Sequence, residues 1–337
     1  MDVALEPVIY ALREPLRTSY GEVAERQAIE LVLTMHDGVT GRGEAAPLEP
    51  YDGVPIELVE QALRRYVPIL RDGDGRTGPE LMDACRRVAD LPQALAAVDL
   101  ALWDAAGRRA GRPVAALLHD EPVAAVAVNA TIGATDAATA AAAASVAAEA
   151  GYRCVKVKVG VDDDVERVAA VREAVGDDVA IRVDANGAWT PDEAVTAIAA
   201  LAPLGPELVE EPVTGIAAMR SVRERVSVAI AMDETAAEHG AIASGAADVV
   251  CLKVSRAGGI SSLLAQAALA RAMGTGVYVA STLDGPLGIA AALHCAAALR
   301  LERACGLATL SLVGIAEPRL AVTAGRMAVP AAPGLGV

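Results

Sequence analysis

Five segments of the chain place ionisable residues where an apolar run ends. VKVKVG ends in Lys156 and Lys158, RVDANG in Asp184 with Asn186, ELVEEP in Glu210, AMDET in Asp233 with Glu234, and CLKVS in Lys253. Lys158, Asp184, Glu210, Asp233 and Lys253 follow one another at intervals of 26, 26, 23 and 20 residues. Each interval suits one strand–helix unit, so all five would stand at one level of a fold. Three carboxylates at one level form an oxygen-only set, which suits Mg²⁺, with Mn²⁺ as the alternative, rather than zinc. Without a cation they would repel one another. The lysines bring ammonium groups to both sides of that set. A lysine beside a divalent cation and a second ammonium is depressed toward neutrality and can act as a base. A cation on a substrate carboxylate stabilises the enediolate left when the neighbouring proton is removed. The expected chemistry is proton abstraction next to a carboxylate on a small-molecule substrate.

Each motif alone is ordinary. A K-x-K pair is usually a solvated strand face, and DAN, EEP and DET are common turn or cap sequences. Their coincidence at one level is what carries weight, because buried lysines and carboxylates are costly unless paired or metal-bound.

The elements that must hold these residues fall into two regimes. Up to about residue 120 the chain reads as strands (VALEPVIYAL, AIELVLTMHDG), a Gly- and Pro-rich loop over residues 41–53, then helices (IELVEQALRRYVPIL, PQALAAVDLALWDAAGRRAG). From about residue 124, eight apolar runs alternate with Ala-rich helical stretches, from VAAVAVNATI to a weak eighth, RACGLATL. Their near-continuous hydrophobicity suits parallel strands buried on both faces. The fold class expected is α/β: a (β/α)8 TIM-type barrel over residues 121–315, with an α+β capping domain over residues 1–120. Residues 316–337 read as a hairpin that returns toward the capping domain. In such a barrel, residues at the C-terminal strand ends converge on the mouth.

Composition narrows the function. The 337 residues are 54% hydrophobic but only 2% aromatic, with no Phe. Base stacking on eight aromatic side chains is not expected. A net charge of −15 without a basic run argues against nucleic acid. Cys85, Cys154, Cys251, Cys295 and Cys305 form no CxxC pair and read as small buried hydrophobes in a reducing compartment. MDVALEPVIY does not read as a signal peptide, so none is expected, and the most apolar stretch, residues 139–148, is too short to span a bilayer. A cytoplasmic protein with no membrane partner is expected, and homo-oligomerisation stays open. The four histidines lie outside the strand-end set, and His294 reads as a helix-packing residue.

The series VKVKVG, RVDANGAW, VEEP, AMDET and LKVSRAGGI, with GRGEAAPL and AAVDLALWDAAGRRAGRPV before it, resembles the enolase superfamily, in its muconate-lactonizing subgroup. The resemblance spans nearly the whole chain. It implies a capping domain, a barrel and an essential Mg²⁺. Carried over by motif, it implies Asp184, Glu210 and Asp233 as metal ligands, Lys158 as the base on one face of the substrate, and Lys253 on the other. It gives Lys156 the tasks of steering the carboxylate and tuning Lys158, and places Asn186 and Glu234 behind the ligands. The subgroup runs dehydration, epimerisation and cycloisomerisation on one frame. Its dipeptide epimerases carry an Asp-x-Asp pair at the eighth strand, where this chain reads RACGLATLSLV. The stretch from Ser281 through ACGLATL is most similar to o-succinylbenzoate synthases, which implies syn-dehydration, with N-acylamino acid racemisation, dipeptide epimerisation and muconate-type cycloisomerisation as the alternatives. Loops at residues 17–26 and 47–53 would cover the mouth. Tyr20 and Tyr51 within them, and Ser281 and Thr282 at the seventh strand end, are the candidate substrate contacts. A catalytically dead barrel would have lost a ligand or lysine, and none is missing.

Overall fold

The computed structural model describes residues 1–18 and 21–337. Long alternating runs build the first sheet. β1 (Asp2–Thr18) and β2 (Gly21–Thr34) pair antiparallel from Asp2↔Thr34 to Thr18↔Gly21, and β3 (Thr40–Ala45) adds to the free side of β2. Ile29, Leu31 and Leu33 alternate inward along β2. Then come α1 (Glu49–Asp52), α2 (Ile56–Arg71), α3 (Gly78–Val88), α4 (Pro92–Ala110) and α5 (Val114–Leu118). Gly111 closes α4 in the left-handed conformation, its N–H donating to the carbonyls of Arg108 and Gly107.

Two expectations are corrected here. Residues 41–45 are strand, not loop. A Cβ on Gly41 would lie 2.0 Å from the Ala101 carbonyl oxygen, and one on Gly43 1.9 Å from that of Ala97. The glycines let β3 lie directly on α4, so they mark close approach rather than a turn. Residues 17–18 and 21–26 are strand rather than open loop, because β1 runs to Thr18 and β2 begins at Gly21.

The second regime opens with β4 (Ala125–Ala127) and β5 (Ala130–Ile132), then alternates α6 (Ala137–Glu149), β6 (Cys154–Lys158), α7 (Asp164–Val175), β7 (Ala180–Asp184), α8 (Pro191–Leu201), β8 (Pro206–Glu210), α9 (Ile216–Arg223) and β9 (Ile230–Met232). β10 (Val249–Leu252), α10 (Val254–Ala257), α11 (Ile260–Ala272), β11 (Gly276–Val279) and α12 (Pro286–Ala298) complete it. Seven strands form one parallel sheet in the order β11-β10-β9-β8-β7-β6-β5. The eighth place is held by Cys305 and Gly306, which form single bridges to Val128 and Ala280. The ring therefore closes through a few backbone bonds, such as Cys305 N–H to Ala127 O (2.8 Å) and Gly306 N–H to Val279 O (2.9 Å).

Inward and outward faces follow the pleat. On β6, Val155 and Val157 are buried against the surrounding helices, while Lys156 and Lys158 take the alternate positions. Helix α12 is apolar all round and buried all round. Its His294 accepts from the Ala115 N–H at Nδ1 (3.2 Å), and Nε2 meets the Leu335 carbonyl (3.1 Å). Burial pushes this imidazole down to about 4, so it stays neutral and ties α5 and the C-terminal segment to the barrel. That segment forms β12 (Val322–Thr323) and β13 (Arg326–Ala328), and β13 pairs with β4. Among the described residues no helix is long and apolar enough to cross a membrane.

Candidate active site

Strand register sets the polar row side by side. Lys158 is the neighbour of Asp184 across β6 and β7, and Asp184 is the neighbour of Glu210 across β7 and β8. Asp233 directly follows β9, and Lys253 directly follows β10 as the residue that starts α10. All five sequence-predicted residues thus lie at one end of the parallel sheet.

Their charges interlock. Lys156 Nζ lies 2.7 Å from Asp184 Oδ2 and 2.8 Å from Glu210 Oε1. Lys158 Nζ lies 2.5 Å from the same Asp184 oxygen and donates to Asn186 Oδ1 at 2.6 Å. Lys253 Nζ lies 2.6 Å from Asp233 Oδ2. Burial pushes the Asp184 carboxyl up, but Lys156 and Lys158 outweigh it and hold it well below the usual range. Asp233 is held low in the same way by Lys253 and Lys156. Glu210 goes the other way: burial raises it against the pull of Lys156. Burial also pushes the Lys156 and Lys253 ammoniums down, yet the carboxylates outweigh it and both end above the ordinary lysine value.

The residues fit a divalent cation. The carboxylates of Asp184, Glu210 and Asp233 are buried, and Glu210 Oε2 meets no hydrogen-bond donor. A buried carboxylate oxygen without a partner is rare and costly, and a cation would satisfy it.

Behind the row, Asn186 sits at φ 47°, a left-handed conformation that Asn tolerates. From there Nδ2 donates to Glu234 Oε1 at 2.9 Å. Burial first, and Asp233 second, push Glu234 up to about 7. Glu211, which follows Glu210, accepts from the backbone N–H groups of Asp233 (2.7 Å) and Thr235 (2.9 Å) and so fixes the turn that carries Asp233.

The candidate substrate contacts divide. Tyr20 lies outside the described residues. Tyr51 stands on α1, a single helical turn rather than a loop, and reaches the barrel. Its hydroxyl donates to Asp233 Oδ1 (2.8 Å) and accepts from Lys253 Nζ (2.7 Å), with Lys253 Nζ 4.2 Å and Arg256 Cζ 4.8 Å from the ring centre. Ser281 and Thr282 both line the cavity over the row, which measures about 100 Å³. Thr282 Oγ1 is engaged with Ser255 Oγ (2.9 Å) and Asp284 Oδ1 (2.8 Å), whereas Ser281 Oγ meets Thr309 Oγ1 (2.8 Å). Asn129, Thr131, Thr309 and Leu312 also line it and were not singled out from the sequence. The rule that found the lysines, a polar residue at the end of an apolar run, points equally to Asn129 and Thr131. Among the described residues, the cavity wall carries no acid besides Asp184 and Asp233. A larger cavity of about 640 Å³, bordered by Met35, Arg76, Trp103 and Ser261, contains none of the strand-end residues.

Comparison with known proteins agrees with this geometry. Residues 1–119 match the N-terminal domain of the mandelate racemase / muconate lactonizing enzyme family, and residues 138–337 match its enolase C-terminal domain-like counterpart. The L-Ala-D/L-Glu epimerase of Bacillus subtilis is 30% identical over 97% of this chain and 93% of its own length. The o-succinylbenzoate synthase of Mycobacterium tuberculosis is 45% identical, over 50% of this chain and 54% of that protein. The structure of a dipeptide epimerase from Enterococcus faecalis, complexed with Mg and the dipeptide L-Leu-L-Tyr, superposes with a TM-score of 0.90 at 26% identity, covering 99% of this chain and 98% of that one. A capping sheet, a ring of parallel strands and a row of carboxylates framed by lysines make this chain an enzyme of the enolase superfamily, in its muconate-lactonizing-like branch.

Proposed function

We propose that the protein removes the proton next to a substrate carboxylate and completes a syn-dehydration of the o-succinylbenzoate synthase type. The observation that carries this reading is the cavity wall. Beyond Asp184 and Asp233 it offers the three lysines, hydroxyls, the amides of Asn129 and Asn186 and apolar groups, and among the described residues no further acid that could hold a substrate ammonium. A dipeptide brings a free ammonium that would be buried there unpaired, at a cost of several kcal/mol (roughly 3–5 for a broken buried pair). A succinyl-substituted ring carboxylate brings none.

Asp184, Glu210 and Asp233 would hold Mg²⁺, whose positive charge favours the enediolate form of the substrate carboxylate. Lys158, as the free amine, takes the α-proton onto Nζ. The resulting ammonium, oriented by Asn186, returns that proton to the hydroxyl leaving from the same face, and water departs. Lys253 stays protonated on the opposite side and acts as a fixed cation. Lys156 bridges Asp184 and Glu210 and keeps the row charge-balanced.

Epimerisation is the second reading, favoured by the similarity to the B. subtilis epimerase along nearly the whole chain. There Lys253 would exchange a proton as Lys158 does. Purified protein should be assayed in parallel on the hydroxycyclohexadiene carboxylate, N-succinyl amino acids and dipeptides. Highest kcat/KM for the dehydration substrate is expected. Preferential turnover of a dipeptide would overturn the reading, as would α-deuterium incorporation from D₂O that depends on Lys253.

A further inference from the structure

One buried group beside the row belongs to neither lysines nor carboxylates. Cys251 lies on β10 two residues before Lys253, so the pleat turns it to the same face, one layer deeper. Ligand atoms of Glu210, Asp233 and Cys251 all lie within 4.8 Å of one another, and all three residues are buried. A single ion can therefore sit within about 2.8 Å of all three before any side chain moves. Zinc bonds run about 2.3 Å to sulfur and about 2.0–2.2 Å to carboxylate oxygen, so each ligand atom would close in by less than about 1 Å. Glu210 is fully buried, its Oε1 engaged by Lys156 and its Oε2 without any partner, an oxygen that an ion in either ligand set would satisfy. The cluster thus holds an unsatisfied anionic oxygen as well as a thiol.

The two ligand sets differ in softness. Asp184, Glu210 and Asp233 are all oxygen and suit a hard ion. Glu210, Asp233 and Cys251 mix oxygen and sulfur, which suits a borderline or soft ion. We propose that Cys251, with Glu210 and Asp233, forms a second, deeper site for a thiophilic divalent cation of the zinc class. Because the two sets share Glu210 and Asp233, occupancy of one excludes the other, and zinc-class ions act as competitive antagonists of Mg²⁺. Binding exchanges the S–H bond for a metal–sulfur bond, releases that proton to solvent, and needs no redox partner. The proposal goes beyond the functional reading and is independent of which carboxylate is the substrate.

Cadmium is the probe, because its bond to a thiolate gives an ultraviolet charge-transfer band that is read without turnover. The full chain, titrated with Cd²⁺ in the absence of Mg²⁺, should develop that band to one equivalent. Mg²⁺ added in excess should shift the titration to higher Cd²⁺. Cys251→Ser, checked for folding by circular dichroism, should lose the band and weaken Cd²⁺ binding at least about 10-fold, the loss that supporting residues around a metal alone can produce. Cys154→Ser, on β6, four places from β10 in the sheet order, should keep the band. No band in the parent chain, a band that survives Cys251→Ser, or a titration indifferent to Mg²⁺ would each overturn the proposal. Should Cys251→Ser not fold, Cys251→Ala takes its place with the same expectations.

Discussion

The proposed chemistry rests on a few side chains whose partners are explicit. Lys158 is held by Asp184 and Asn186, so Lys158→Ala should cost about 10²–10⁴-fold in kcat, the usual yield of a positioned base, with the melting temperature preserved. Steady-state kinetics beside a thermal melt checks this. Chelation should abolish turnover and Mg²⁺ should restore it. Tyr51→Phe removes the hydroxyl shared by Asp233 and Lys253. Hydrogen bonds to charged groups are worth about 1.5–3 kcal/mol, so a drop of about 10-fold or more in kcat is expected, with KM changing less. The lysines and carboxylates were legible in the sequence because a strand repeats every two residues and each strand–helix unit repeats near 25, which turns linear spacing into a common level. Tyr51's partners were not. Its contact with Asp233 joins residues 182 positions apart on separate layers, and no local pattern encodes it. Cys251 was read simply as a small buried hydrophobe, since its proximity to Glu210 depends on strand order.

At the level of elements, periodicity identified the parallel strands and most helices, and failed where packing overrides local preference. The segment GRGEAA looks like a loop because glycine is usually a turn residue, yet here it permits a strand to touch a helix. Gly43→Ala tests that: with a Cβ 1.9 Å from the Ala97 carbonyl oxygen, β3 must move off α4. A loss of about 1–3 kcal/mol in unfolding free energy is expected from such overpacking, measured by urea denaturation, whereas Gly53→Ala meets no neighbouring atom and tests only its φ of 70°. The eighth run was read as weak, and it contributes single bridges to Val128 and Ala280; Gly306 lies so close to Ala280 that a Cβ there would be 2.9 Å from that residue's own.

For the molecule as a whole, the seam between cap and barrel carries a titratable group. Glu44 on β3 is buried, accepts from Gly285 N–H (2.7 Å) ahead of α12 and from the Tyr10 hydroxyl (3.1 Å), and lies near Asp284. Burial, then Asp284, push it from 4.5 up to about 8. Between those values the folded chain keeps a proton that the unfolded chain has released. The stabilisation is complete below about 4.5 and is lost as pH rises through about 8. Glu44→Gln should therefore flatten the decline of melting temperature across that window, where the group contributes about 1.4 kcal/mol per pH unit. An unchanged slope in the variant would show that Glu44 does not set it.

The join at Cys305 and Gly306 has a consequence for how such a protein can change over generations. The groups proposed to act on the bond stand on, or directly after, strands that are paired on both sides. Thr309 and Leu312, which shape the cavity, follow the one stretch of the ring held by isolated bridges. Substitutions or length changes there alter which molecule fits without disturbing the row of lysines and carboxylates. Selectivity and chemistry are thus separately heritable, and a lineage built this way can acquire a new substrate while keeping its old reaction step.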